Sequence, residues 1–166
     1  MQLLGLSDDD INILKNYAKE SIPVFQCANM SFDVALLKNL LKTIAVQLSD
    51  TDIEISETHH NRKKDAPSGT AKMFADAINE ALGNTKTLVY GREGERKKDE
   101  IGLSSIRGGN IVGEHTIQFF GEAETLEIKH TTYSREVFAE GAVKAARFLM
   151  TKEKGFYNMD DLIASM

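Results

Sequence analysis

DIEISETHHNRKKDAPSGT, residues 52–70, contains a change of backbone pattern from which the fold can be read. Ile53 and Ile55 alternate with Asp52, Glu54 and Ser56, the period-two pattern of a strand buried on one face. The pattern stops at His59-His60-Asn61-Arg62-Lys63-Lys64-Asp65-Ala66, where Pro67 and Gly69 break regular structure and the proline steers Ala66 away from helix. A helix resumes near Ser68 with Ala71, Ala75, Ile78 and Leu82 inward, and Gly83-Asn84 ends it. The irregular stretch therefore lies between a strand end and a helix start, where ligands gather in α/β folds.

Upstream, Ser7-Asp8-Asp9-Asp10 reads as a capped helix start, with Ile11, Leu14 and Ala18 following at helical spacing. Residues 23–27 read as a short buried strand and Ala28-Asn29-Met30-Ser31 as a polar break. Residues 33–48 read as a helix with Leu37, Leu40, Leu41, Ile44 and Leu48 on one face. Downstream, strands are expected over 86–90, 101–106, 111–120 and 124–132. The charge run 92–100 reads as a solvated loop, with a mobile lid as the alternative. Residues 136–150 return to helix with Phe138, Val143, Ala146 and Leu149 as core, and a short helix is expected at 160–163. This order predicts an α+β fold: a mixed four-stranded sheet of the late strands with helices on one face, attached to a remnant of a Rossmann-like α/β layer.

Composition narrows the function. The chain has 166 residues, 42% hydrophobic and 27% charged, and needs no staples to build a core. No apolar run spans a membrane, and Asp8, Asp9 and Asp10 stand where a signal peptide would be apolar, so no membrane partner is expected. A net charge of -5 argues against nucleic acid as a general partner. The single cysteine, Cys27, rules out an internal disulfide and fits a reducing, cytoplasmic setting, and it reads as a small buried residue before a nucleophile.

Residues 57–70 hold most of the chemistry-bearing side chains. Consecutive His59 and His60 in an extended chain point to opposite sides, so one faces a site while the other takes a second role. Histidine donates a proton near neutrality, Lys63 offers a compact positive charge, and Ser68-Gly69-Thr70 opening a helix offers N–H groups and hydroxyls to a carboxylate or phosphate. No metal is expected: there is no H-E-x-x-H, and adjacent histidines chelate one ion poorly. Ser68 lacks the G-x-S-x-G of a nucleophile elbow, and no Walker lysine follows Gly69. Each of these features also has a bland reading, as surface histidines, a helix cap or a solvated basic loop.

Residues 57–71, Glu57-Thr58-His59-His60-Asn61-Arg62-Lys63-Lys64-Asp65-Ala66-Pro67-Ser68-Gly69-Thr70-Ala71, resemble the E-x-H-H-x-x-K-x-D-A-P-S-G-T-A signature of the dihydrodipicolinate reductase family at every fixed position. Arg107-Gly108-Gly109-Asn110-Ile111-Val112-Gly113-Glu114-His115 is similar to the family's R-x-G-x-x-x-G-x-H strand, and Leu126 to His130, Ser134-Arg135 and Phe138 to Ala142 are similar to the family as well. Ala28-Asn29-Met30-Ser31 resembles its A-N-F-S hinge, with Asp33 and Ala35 departing from the usual glycine and asparagine beyond it. Gln2-Leu3-Leu4-Gly5-Leu6 stands where the family has G-T-T-G-[FL].

The resemblance implies the following. Residues 1–29 are a remnant of the dinucleotide-binding domain, residues 30–134 the substrate-binding and oligomerisation domain, and residues 135–166 a tail returning to the first. The activity is reduction of 4-hydroxy-tetrahydrodipicolinate by NADH or NADPH in lysine and diaminopimelate biosynthesis. His59 is the proton donor and Lys63 a second donor and anchor. His60, Ser68, Gly69, Thr70 and Arg135 bind the small anionic dicarboxylate, and Cys27, Ala28, Asn29 and Met30 line the nicotinamide side. A homotetramer is implied. The alternative is a non-catalytic binding and assembly module, or half of a split enzyme completed by a separate Rossmann chain.

Overall fold

A computed structural model of the chain describes residues 6–166; the 2–5 part of the G-T-T-G-like stretch lies outside the described residues. In chain order the elements are α1 (Asp8–Glu20), β1 (Pro23–Phe25), α2 (Phe32–Gln47), β2 (Asp52–His59), α3 (Gly69–Ala81), β3 (Thr87–Tyr90), β4 (Glu100–Arg107), β5 (Gly113–Phe120), β6 (Thr125–Thr132), α4 (Glu136–Leu149), β7 (Gly155–Tyr157) and α5 (Met159–Ala164). They group into two units, one of the chain up to Leu36 plus Glu136–Met166, the other of Leu37–Arg135.

In the first unit, α1 opens on a reciprocal cap: the Ser7 hydroxyl accepts from the Asp10 N–H at 3.2 Å while the Asp10 carboxylate accepts from the Ser7 N–H at 2.8 Å. β1 lies parallel to β7, with Phe25 opposite Tyr157. β7 is not among the expected strands, because three residues beginning with glycine are too short to show alternation. The core gathers Ala35, Ala145, Phe148, Met159 and Leu162, with Phe25 and Tyr157 edge-on to Phe148. The first turn of α2 thus belongs to this unit, which moves the boundary from residue 29 into the helix. The buried face of α4 is Gly141, Ala145 and Phe148. Val143 and Ala146 are exposed, contrary to expectation, and Phe138 and Leu149 are half-buried. The face is selected at Gly141, where a Cβ would overlap the Met30 carbonyl.

In the second unit the sheet has five strands in the order β3-β4-β2-β5-β6, not four. β2 is the added strand and sits at the centre, parallel to β4 and antiparallel to β5; β3 runs parallel to β4, and β6 antiparallel to β5. The alternation in β2 holds to its end, with Ile53, Ile55, Glu57 and His59 all buried. Register places Ile101 and Phe119 beside Ile53, Leu103 and Ile117 beside Ile55, and Ser105 and His115 beside Glu57. One face therefore passes from apolar to ionisable along the strands. α3 buries Ala71, Phe74, Ala75, Ala77 and Ile78, and Phe74 meets His115 edge-on at 5.8 Å. In α2, Leu37, Leu41 and Ala45 are buried, while Leu40 is exposed.

The opposite face carries the charge run expected to be solvated. It is tied down instead: Arg92 bonds Glu54 at 2.5 Å and pairs with Glu100, and Arg96 reaches Asp52 at 2.6 Å. Gly102 leaves the room for this, since a Cβ there would collide with the Glu54 carboxylate.

These glycines separate close approach from open space. Gly141→Ala is expected to destabilise the protein by about 1–3 kcal/mol, the usual cost of overpacking, because its obstacle is backbone. Gly108→Ala, with nothing within 4 Å of the added carbon, is expected to stay within about 0.5 kcal/mol. Urea denaturation of the two variants checks the contrast.

Candidate functional site

Glu57 faces inward on β2 and is 1% exposed. An ionised carboxylate is tolerated there only if donors replace the water it loses. Arg107, across β4, supplies two parallel bonds, Nη1 to Oε2 at 2.8 Å and Nη2 to Oε1 at 2.7 Å. The Ser68 N–H donates to Oε1 at 3.1 Å, and His59 Nδ1 meets Oε2 at 2.5 Å. Burial alone would raise the Glu57 carboxyl, but the bonds from His59, Arg107 and Ser105 outweigh it and hold it well below the usual carboxylate range.

His59, 8% exposed, is two residues further on the same face. Its ring lies edge-on to His115 with centroids 5.2 Å apart. Gly113 opens the space beside its other nitrogen, since a Cβ there would stand 3.0 Å from Nε2. The backbone is held as well: the Gly108 N–H donates to the His59 carbonyl at 2.9 Å and the His60 N–H to the Ile111 carbonyl at 2.7 Å. His115 is 4% exposed, with Nε2 3.0 Å from the Ser68 hydroxyl. Burial, reinforced by the charge of His59, pushes its imidazole down to about 3, so His115 is neutral at physiological pH.

His60 turns away from His59, as consecutive strand residues must. Arg135 Nη2 lies 3.3 Å from His60 Nε2. Partial burial and the charges of Arg62, Arg135, His59 and Lys63 push the His60 imidazole below its ordinary value. These cations are close enough to oppose one another, which is the electrostatic condition of an anion site. Lys63 Nζ is 2.8 Å from the Asp65 carboxylate. Burial would raise that carboxyl, but the Lys63 bond, its own N–H and the Gly69 backbone hold it low.

The structure thus brings His59, His60, Lys63, Ser68, Gly69 and Arg135 into the second unit with direct or one-residue-removed contacts, and Thr70 follows in the first turn of α3. Ser68 is built into the protein as well as facing the start of α3. It is 2% exposed, its hydroxyl serves the Ala71 N–H at 3.1 Å and His115, and its N–H serves Glu57. It is the N-cap of α3. Cys27, Ala28, Asn29 and Met30 belong to the first unit, where the Cys27 thiol is 3.1 Å from the Asn29 carbonyl and 3.4 Å from Met30 Sδ, Asn29 Oδ1 accepts from the Ser31 N–H at 2.8 Å, and Ala28 is exposed. Glu57, Arg107 and His115 are absent from the sequence-predicted site. The signal for Glu57 was present, because extending the Ile53–Ile55 alternation by two steps places it and His59 on the buried face.

A family model described as dihydrodipicolinate reductase, C-terminus, matches residues 33–163. The 4-hydroxy-tetrahydrodipicolinate reductase of Caldanaerobacter subterraneus subsp. tengcongensis is 49% identical over 162 residues, covering 96% of this chain and 64% of that protein. That of Clostridium tetani is 48% identical over 164 residues, covering 97% and 64%. The chain therefore spans about 64% of the length of these relatives. Among solved structures, the dipicolinate-bound dihydrodipicolinate reductase from Paenisporosarcina sp. TG-14 shares the fold, with a TM-score of 0.74 at 24% identity over 95% of this chain and 61% of that one.

The buried pair sets a pH signature. Unfolded His115 takes a proton near its ordinary 6.5, whereas the folded ring refuses it until about 3. The unfolded state thus binds more protons in that window, and stability falls as pH falls through it. Glu57 adds to the loss only below its ordinary 4.5. Stability at pH 5 is expected to be about 2 kcal/mol lower than at pH 8 from His115 alone. His115→Phe is expected to flatten the slope between pH 6.5 and 5 by one proton, read from urea midpoints at each pH.

Proposed function

The chain belongs to the dihydrodipicolinate reductase family, and on that premise we propose that it serves the reduction of 4-hydroxy-tetrahydrodipicolinate by NADH or NADPH in lysine and diaminopimelate biosynthesis. The observation that carries this reading is the pair of cations Arg135 and Lys63, with the His60 ring against Arg135, beside a histidine bonded to a buried carboxylate. A ring bearing two carboxylates needs fixed positive charge and helix-start N–H groups to hold it, and a proton donor beside the reacting carbon.

In this reading His60, Arg135 and Lys63 grip the carboxylates, with Gly69 and Thr70 at the start of α3, and His59 delivers a proton from Nε2. Lys63 exchanges Asp65 for the substrate anion and is the second donor. Cys27 to Met30 follow the carboxyl end of β1, which is paired in parallel with β7, the end at which nucleotides sit in parallel sheets. The exposed Ala28 and the polar backbone there suit a nicotinamide amide, and these are the residues that would hold the cofactor. When bound, the cofactor supplies the hydride. The place of work is the cytoplasm, in keeping with a chain that holds a single cysteine. No helix among the described residues is long and apolar enough to cross a membrane.

The assembly proposed is a homotetramer built through the outer sheet face, where Ile106 and Phe120 are exposed among polar residues. Sedimentation velocity is expected to give a species of about four chains, and a monomer at all micromolar concentrations would remove this part.

Titration calorimetry with pyridine-2,6-dicarboxylate tests the site on this chain. Wild type is expected to bind, and Lys63→Ala and Arg135→Ala each to bind about 10–100-fold more weakly, the weight of a charged hydrogen bond. In a preparation that oxidises NADH or NADPH with substrate, His59→Gln is expected to lower kcat about 10²–10⁴-fold while keeping dicarboxylate affinity. Wild type that ignores the dicarboxylate would sink the reading, and tight binding without any cofactor oxidation would favour a binding module.

A further inference from the structure

We infer that Glu57 is a positioning residue that fixes the tautomer of His59, so that Nε2 is the only ring nitrogen able to exchange a proton with a bound ligand. The inference deepens the proposed function and rests on His59 being the proton donor there.

The geometry leaves the ring little choice. Glu57 sits 1% exposed with both oxygens occupied: Oε1 accepts from Ser68 N–H and Arg107 Nη2, and Oε2 accepts from Arg107 Nη1 and faces His59 Nδ1 at 2.5 Å. A carboxylate gripped by both nitrogens of a guanidinium is ionised and can only accept. The proton between Glu57 and His59 therefore lies on Nδ1. In the neutral ring Nε2 carries the lone pair; in the imidazolium it carries the second proton. Both forms keep Nδ1–H, so a proton enters and leaves only at Nε2.

Two further features serve the same nitrogen. Gly113 leaves open the space that a side chain would fill, 3.0 Å from Nε2. The His115 ring packs edge-on against His59, with centroids 5.2 Å apart. Strand geometry makes the arrangement possible, because residues two apart on β2 share a face.

Glu57 also ties β4 and α3 to β2, so loss of stability in a variant would not distinguish positioning from scaffolding. The tautomer does. In the chain labelled with nitrogen-15 in histidine, long-range proton–nitrogen correlation reports which ring nitrogen is protonated, and His59→Gln assigns the signal by removing it. Wild-type His59, when neutral, is expected to show Nδ1–H with a lone pair on Nε2. In Glu57→Gln a single amide oxygen replaces two carboxylate oxygens that together meet Ser68, both Arg107 nitrogens and His59, so the neutral His59 ring is expected to lose its preference for Nδ1–H and shift toward Nε2–H. Glu57→Asp, which keeps the negative acceptor, is expected to hold the wild-type pattern.

A wild-type neutral ring protonated at Nε2 overturns the inference whether or not any variant folds. So does a folded Glu57→Gln with an unchanged tautomer. Adding pyridine-2,6-dicarboxylate to the same sample separates the two readings. Signals that stay at Nδ1–H and do not respond to the dicarboxylate leave the positioning intact and count against the proposed function.

Discussion

A carboxylate cut off from water must be answered by the protein, and the need to answer Glu57 organises the second unit. Its bonds recruit groups from three elements: Arg107 from β4, the Ser68 N–H from the start of α3, and His59 from β2 itself. Arg107 in turn donates to the Asp65 carbonyl at 2.7 Å, so the loop carrying Lys63 is held from the same point. Removing either member would strand the other as an uncompensated buried charge, a cost of several kcal/mol in general. The site is thus assembled by a stability requirement, and its functional histidine is one of the groups meeting it.

Legibility in the sequence followed the range of the interaction. Local alternation at Ile53 and Ile55, the separation of His59 from His60, and the α3 start at Ser68 are decided within a few residues and are legible there. The central place of β2 was not, because its neighbours β4 and β5 lie more than forty residues away and nothing in 52–59 states which strands will flank it. The buried face of α4 was misread for a similar reason. Val143 is the more hydrophobic choice, yet contact with the Met30 carbonyl demands glycine at 141 and turns the helix accordingly. Residue chemistry alone indicates an anion and a proton donor; the particular dicarboxylate comes from resemblance.

The second face of the sheet obeys the same rule with opposite appearance. A run rich in lysine, arginine and glutamate looks like solvated loop, but Arg92 and Arg96 bend back over Glu54, Asp52 and Glu100. Glu100 is itself buried. A planar guanidinium can serve two carboxylates at once, which a lysine ammonium at the same place would do less well. Gly102 is needed beneath them because two charged side chains cross the strand where a methyl group would stand. Charge density by itself therefore did not distinguish a free loop from a strapped one; a glycine in the middle of an adjacent strand was the better indicator.

The histidines complete the argument, because burial alone would treat two of them alike. His59 and His115 are both nearly excluded from solvent and their rings touch, yet their partners differ. His115 faces a hydroxyl, which cannot compensate a positive charge, and burial keeps it neutral. His60 faces Arg135, which repels a proton. His59 faces the Glu57 carboxylate at 2.5 Å. Of these three rings, one alone is bonded to a carboxylate, and it is the ring whose far nitrogen lies beside Gly113. The two rings that lose proton affinity are thus the ones without a carboxylate partner, so neither adds an imidazolium to repel a bound proton at the third. The strand register supplies that difference by placing Glu57 two residues before His59 and opposite His115, close to both rings while its short bond goes to His59.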